Sequence, residues 1–228
     1  LRLTPYGILA IMTSTIATSD FGAIWTLGKF VIASYAALIV MYIIHLIIVS
    51  GLGLNPVTFV KKTGEVLMFA FTSRSSAGSL PLNVQTQKNR LGVPDGIANF
   101  SASFGLSIGQ NGCAGIYPAM LAVMVAPAAG VEVNLQFILS VIGVVIISSF
   151  GVAGVGGGAT FASIIVLSTL NLPVALAGVL ISVEPLIDMG RTALNVNDSM
   201  LAGTGTAKLT NNLDKDTYND NEYAEITN

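Results

Sequence analysis

Ser73-Arg74-Ser75-Ser76-Ala77-Gly78-Ser79-Leu80-Pro81 is a polar, helix-breaking run held between two apolar segments, residues 60–72 and 82–91. A helix that crosses a bilayer needs roughly 20 mostly apolar residues, and each flank falls short of that. Backbone N–H and C=O groups at membrane depth must find partners, so non-helical chain survives there only buried in protein or lining a cavity. The pattern recurs. Residues 135–150 and 160–170 are again short and apolar, and they flank Gly151-Val152-Ala153-Gly154-Val155-Gly156-Gly157-Gly158. Between the two units, residues 97–125 are long enough to span but are interrupted by Gln110-Asn111-Gly112-Cys113-Ala114-Gly115. Two half-length hairpins and one unwound helix point to a shared polar cavity, since paired broken segments mark transport sites in membrane proteins. The competing reading is that the glycines only let helices pack closely.

The composition agrees with a membrane protein. Of 228 residues, 53% are hydrophobic and only 10% are charged, against about 25% charged in soluble domains; the mean hydropathy is +0.75. The net charge is -2 and no Lys/Arg block suggests a nucleic-acid partner. Cys113 is the only cysteine and His45 the only histidine. An internal disulfide and a zinc-type ligand cluster are both excluded. Gly154-Val155-Gly156-Gly157-Gly158-Ala159 formally fits a nucleotide fingerprint, but no strand–turn–helix context surrounds it. No Ser-His-Asp set forms with His45 in a separate span, so the chain does not read as an enzyme. Leu1 to Gly7 carry no initiator Met and no signal-peptide pattern; the expectation is the C-terminal part of a longer protein.

Three stretches have the length and apolarity of spans: residues 6–25, 30–49 and 173–202. The expected all-α organisation is a spanning helix at 1–28, a second at 29–58, re-entrant hairpin 1 at 59–96, an unwound spanning helix at 97–131, re-entrant hairpin 2 at 132–171, a last helix at 172–208 and a tail at 209–228. Basic residues near segment ends favour the cytoplasmic side. Placing Lys61, Lys62, Lys88, Arg90 and Lys208 there puts both ends of hairpin 1 inside and makes hairpin 2 enter from outside, with Lys29 an exception. The acidic tail is then cytoplasmic and is expected to be flexible.

The strongest site signal is Glu184-Pro185-Leu186-Ile187-Asp188-Met189-Gly190-Arg191-Thr192-Ala193-Leu194-Asn195. Ionisable residues inside a span are costly and mark function. At 100° per residue Glu184, Asp188, Arg191 and Asn195 lie within about 60° of one another. One face therefore offers an acid, a guanidinium and an amide, which suits a zwitterion. Asp188 holds an ammonium, Arg191 grips a carboxylate through two parallel N–H···O bonds, and Asn195 and the serine-rich tip add donors. The alternative is an Asp188–Arg191 pair that serves structure alone. Glu184 is open between structure and ligand. Arg74 reads as a stabilising partner, for Glu184.

Ser73 to Pro81 resembles the serine-rich first hairpin tip of the glutamate-transporter family (dicarboxylate/amino acid:cation symporters). Asp188-Met189-Gly190-Arg191-Thr192-Ala193-Leu194-Asn195-Val196 is similar to that family's last-helix signature. Asn111 to Pro118 and Gly151 to Ala159 are most similar to its bacterial L-cystine symporters. The resemblance implies a homotrimeric, multi-pass protein of the cell inner (plasma) membrane, with a rigid scaffold and a transport domain that moves like an elevator. It implies that Asp188 and Thr192 bind the amino group, that Asn195 and Ser76 bind the α-carboxylate, and that Arg191 binds the distal group. Ser75, Gly115, Gly157 and Gly158 complete the expected substrate contacts, with residues 154–159 as gate. No cofactor is implied beyond a coupling ion, Na+ or H+. Candidate Na+ ligands are Ser107, Asn111, Ser149, Phe150, Val152, Asn195 and Ser199. Cys113 and Ser199 stand where acidic amino acid carriers have sodium-binding Asp residues, and a cation at depth needs compensating charge. Asp198 lies about 100° round the helix from Ser199. Coupling is open between Na+ through main-chain carbonyls near Ser149, Phe150 and Val152, and H+ through Asp188 or Glu184. Gly112 and Gly115 widen the pocket and favour a solute longer than aspartate. The expected function is import of L-cystine or a similar sulfur-containing amino acid. The alternatives are a symporter for another amino acid or a dicarboxylate, and a gated channel.

Overall fold

The computed structural model describes residues 9–10, 13, 21–151, 157–175 and 183–220. The span expected at residues 6–25 lies largely outside them, as do Val152 and the middle of the second glycine-rich run. The regular elements among the described residues are all helical. Helix α1 (Phe21–Gly51) has 31 residues, about 46 Å at 1.5 Å per residue, enough to cross a hydrocarbon core of about 30 Å. Ile32, Ile39, Val40, Ile43 and Ile47 stand exposed along it, an apolar face that needs lipid or protein against it.

The next two helices form a pair. Asn55 caps α2 (Pro56–Ser73) by accepting from the Val57 and Thr58 amides, and Pro56 opens the helix, where a missing N–H costs nothing. Arg74 ends α2 in a left-handed conformation, φ 54°. The polar tip then turns into α3 (Leu80–Asn89). Helix α4 (Asp95–Phe104) follows Pro94. The chain stops being α-helical over residues 105–110, where Gly109 takes φ 108°, and resumes as a π-helical turn (Asn111–Ile116) leading into α5 (Tyr117–Ala128). Helices α6 (Leu135–Ser149) and α7 (Gly158–Thr169) form a second short pair. The long α8 (Glu184–Leu209) packs against α1, α2, α3, α4 and the π-helical turn.

Two apolar cores divide along α8. Ile187 and Leu194 join Phe30, Tyr117, Leu121 and Val166 in one. Val196, Met200 and Ala207 join Phe59, Val66, Leu91 and Tyr218 in the other. Side chains of Asp188, Arg191, Asn195 and Asn197 are buried between and beside these cores, so α8 carries a polar layer through an otherwise apolar interior.

Of the tail expected to be flexible at 209–228, residues 221–228 lie outside the described residues, and the part before them is ordered. Asp214 caps a short helix, α9 (Lys215–Asn219), and hydrogen bonds from Thr217 hold its carboxyl below the usual carboxylate range. Tyr218 is fully buried and donates to the Asn55 carbonyl, 2.9 Å away. The Lys62 ammonium donates to the carbonyls of Arg90 and Thr217 at 2.8 and 2.6 Å. The Asp214 amide bonds the Gly92 carbonyl, and Gly92, at φ 68°, sits so close that a Cβ there would lie 2.2 Å from the Asp214 oxygen. One buried aromatic outweighs the polar composition around it. The segment thereby ties the base of α2 to the end of α3.

Tyr218→Ala in the full-length protein is expected to raise amide hydrogen exchange at the start of α2 and the end of α3 by tenfold or more, because burial of one large side chain stabilises by about 3 kcal/mol. Exchange in α6 and α7 should stay unchanged. Unaltered exchange at α2 and α3 would show that the segment holds nothing.

Candidate functional site

The site grows from the first three turns of α8. Pro185 sits in the first turn, and the helical repeat that follows aligns Glu184, Asp188, Arg191 and Asn195. All four are buried, and Arg191 is fully so. Burying an ion costs several kcal/mol unless opposite charge and hydrogen bonds replace its water. Here the charges alternate. Arg191 Nη2 donates to Glu184 Oε1 and, at 3.0 Å, to Asp188 Oδ1. Arg74 Nε donates to Asp188 Oδ2, also at 3.0 Å. Two acids and two guanidiniums thus form one neutral chain from the α2–α3 tip into α8. Arg74 pairs with Asp188 and not with Glu184 as expected, because Glu184 is held by Arg191. The helix-internal Asp188–Arg191 pair is present, yet it accounts for only part of the guanidinium. Among the described residues, Arg191 Nε and Nη1 have no hydrogen-bond partner. The Tyr117 ring lies under the guanidinium, 4.1 Å from ring centre to Cζ, and against Phe30 at 5.9 Å.

Asn195 pins the interruption between α4 and α5. Its Oδ1 accepts from the Gly112 amide at 2.8 Å, and its Nδ2 donates to Gln110 Oε1 at 2.9 Å and Cys113 Sγ at 3.1 Å. The non-helical chain at residues 105–110 therefore has its polar groups met by α8, as buried irregular backbone requires. Gly112 makes the approach possible, since a Cβ there would lie 3.0 Å from the Arg191 carbonyl oxygen.

A second polar cluster sits beside the first. His45 of α1 meets Asn197 Oδ1 through Nδ1 at 2.8 Å. Its Nε2 lies 3.3 Å from Asn111 Nδ2 and 3.5 Å from Asp198 Oδ1. His45, Gln110, Tyr117 and Asn197 were not among the expected site residues. One of them carried a signal: a lone histidine inside some twenty apolar residues is a functional candidate by its cost alone.

The structure brings Asp188, Arg191, Thr192 and Asn195 together on α8, with the α2–α3 tip reaching them through Arg74. Ser76 is buried in that tip. Ser75 Oγ accepts from the Gly78 amide and its carbonyl accepts from Ser79, so Ser75 shapes the turn. Gly115 has no atom within 4 Å of where a Cβ would stand. Gly157 takes φ 89° just before α7, which Gly158 opens. Of the expected Na+ ligands, Asn111 and Asn195 lie in the polar layer and Ser107 in the α4–α5 interruption. Ser149 and Phe150 stand at the end of α6, with Ser149 Oγ donating to the Ile146 carbonyl. Ser199 accepts from Asn83 Nδ2 at 2.7 Å and donates to the Val196 carbonyl. Cys113 and Ser199 are thus both taken up in hydrogen bonds within the protein. Among the described residues no group of three or more His, Cys, Asp and Glu side chains gathers in metal-holding range. Neither the Cys113 nor the Ser199 side chain carries a negative charge that would offset the desolvation of a buried cation.

The chain matches the model of the sodium:dicarboxylate symporter family over residues 1–209. It is 72% identical over 221 residues to the L-cystine uptake protein TcyP of Bacillus licheniformis, covering 96% of this chain and 48% of that protein. It is 70% identical over 221 residues to the L-cystine uptake protein TcyP of Shouchella clausii, covering 96% and 47%. The protein of the same name from Bacillus cereus is 65% identical over 223 residues, with 97% and 48% covered. The chain therefore spans about half the length of these curated relatives.

Asn195→Ala strands the Gly112 amide and the Gln110 side chain, at about 1–3 kcal/mol for each buried group left unpaired. A clearly lowered thermal unfolding midpoint of the solute-free full-length protein is expected. Asn99→Ala, on an exposed turn of α4, serves as the control and should leave it in place. Equal midpoints for both variants would mean that Asn195 does not hold the interruption.

Proposed function

The chain belongs to the sodium:dicarboxylate symporter family, and we propose that it forms the solute-binding half of a cation-coupled symporter that imports L-cystine or a similar sulfur-containing amino acid. One observation carries this reading: a buried acid, guanidinium and amide, Asp188, Arg191 and Asn195, share one face of α8 opposite the serine-rich α2–α3 tip. An ammonium group replaces the Arg74 guanidinium on Asp188, with Thr192 beside it. The α-carboxylate takes donors from Asn195 and Ser76. The distal group of the solute takes the Arg191 N–H groups that have no partner now. Gly115 leaves room for a solute longer than aspartate.

The proposed membrane arrangement uses the same elements. The pairs α2–α3 and α6–α7 enter the bilayer without crossing it, hairpin 1 at residues 59–96 from inside and hairpin 2 at 132–171 from outside. The interrupted helix at 97–131 and the last helix at 172–208 complete the transport domain, the spans proposed at 1–28 and 29–58 precede it with α1 running through the boundary between them, and the end at 209–228 is cytoplasmic. Gly157 and Gly158 belong to the gate. The whole protein assembles as a homotrimer in the cell membrane and moves its transport domain as an elevator. Coupling is to a cation held by main-chain carbonyls near Ser149, Phe150 and Val152, or to a proton. The relatives named for L-cystine uptake support the substrate; the family's name keeps a dicarboxylate as the rival.

The test is uptake of labelled L-cystine by full-length protein in vesicles, with Na+ and pH gradients imposed separately and with aspartate and succinate as competitors. Cystine should saturate uptake and the dicarboxylates should not compete. Arg191→Ala should cut uptake about a hundredfold, the usual cost of losing one partner of a buried charge contact. Strong competition by succinate, or full uptake by Arg191→Ala, would overturn the reading.

A further inference from the structure

Glu184 and Asp188 stand one turn apart on the same face of α8, and four residues of α-helix rise about 6 Å. The two α-carbons joined by a disulfide lie about 4.4–6.8 Å apart. Two ammonium groups carried on such carbons therefore match two acids at this pitch. The donors match as well. Next to Glu184, Arg191 Nε and Nη1 and the Tyr117 hydroxyl are all buried, and none has a hydrogen-bond partner among the described residues. The Tyr117 ring already holds the guanidinium from below at 4.1 Å. Native interiors rarely leave such donors unmet, and each one calls for a functional or structural reason.

We infer that Glu184, Arg191 and Tyr117 form a second amino-acid station, which reads the distal head of a disulfide-linked diamino diacid. Glu184 takes the distal ammonium, and the Tyr117 hydroxyl joins Arg191 on the distal carboxylate. Asp188, Thr192 and Asn195 keep the first head. Arg191 balances the charge of Glu184, and Arg74 balances that of Asp188, so the two stations together are neutral. This assignment rests on the cystine reading above and extends it to two residues, Glu184 and Tyr117, as ligands. It makes the site selective for a solute with two complete heads at disulfide spacing, and against solutes that lack either charge at the far end.

Three solutes separate the parts: L-cystine, the mixed disulfide of cysteine with cysteamine, which lacks the distal carboxylate, and the mixed disulfide of cysteine with 3-mercaptopropionate, which lacks the distal ammonium. Each is measured for uptake or for competition against labelled cystine, in full-length wild type, Glu184→Gln and Tyr117→Phe. Wild type should prefer cystine to either analogue by about tenfold or more, the usual weight of one charge-assisted hydrogen bond. Glu184→Gln should lose the preference over the 3-mercaptopropionate disulfide and keep the other. Tyr117→Phe, which keeps the ring under Arg191, should lose most of the preference over the cysteamine disulfide and keep the other. Preferences unchanged in both variants, or all three solutes weakened by the same factor, would overturn the assignment. Where Glu184→Gln does not accumulate, Glu184→Asp takes its place: it must weaken cystine and spare the 3-mercaptopropionate disulfide, and any other order overturns the assignment. Wild type that takes up no cystine would instead overturn the functional reading itself.

Discussion

Arg191 is a guanidinium with no access to solvent, and it is tolerable only because Glu184 and Asp188 supply the charge and acceptors that water would. That requirement organises its surroundings. It sets two acids at one-turn spacing on α8 and draws the α2–α3 tip inward, since the second Asp188 oxygen needs a partner and Arg74 provides it. It also places an aromatic ring beneath the planar cation, where guanidinium–ring contact is favourable. Such a network is balanced but not exhausted. Three buried polar groups of Arg191 and Tyr117 have no hydrogen-bond partner among the described residues, and the proposed solute would meet them.

The rest of the fold serves that layer. Apolar cores on either side of it are shared by α8 with α1, α2, α5 and α7. Because α8 packs against α1, α2, α3, α4 and the π-helical turn, a shift at its polar face reaches the α2–α3 pair directly. The interruption between α4 and α5 has the same logic from the other side: Asn195 satisfies the chain where α-helical bonding stops. Far from it, the α9 segment closes the base of the α2–α3 pair through Tyr218 and Lys62. That leaves the tip, with its left-handed Arg74, as the end of the pair nearest α8's charged face.

Periodicity made much of this readable. Asp188, Arg191 and Asn195 had to share a face because 100° per residue leaves no choice, and runs too short to span had to pair or bury. Composition made the membrane readable, since 10% charge does not cover a soluble surface. Partners across the fold were not readable. Which acid Arg74 meets, and that His45 reaches Asn111 and Asn197, depend on how α1 and the tip pack on α8, which no local spacing encodes. Residues 211–220 misled for the opposite reason: polar residues dominate any window there, while the single buried Tyr218 decides that this segment docks. Asp198 stands one position from Ser199 and meets His45, while Ser199 meets Asn83.

The central question is whether solute sits at α8's acid–guanidinium face. Electron cryo-microscopy of the full-length protein in lipid nanodiscs, with and without L-cystine, examines this directly. The expected map has solute density between the α2–α3 tip and α8, within hydrogen-bond reach of Asp188 and Arg191, and the Arg74–Asp188 contact opened to admit it. Solute density elsewhere, with the chain from Arg74 through Asp188 and Arg191 to Glu184 intact, would contradict it.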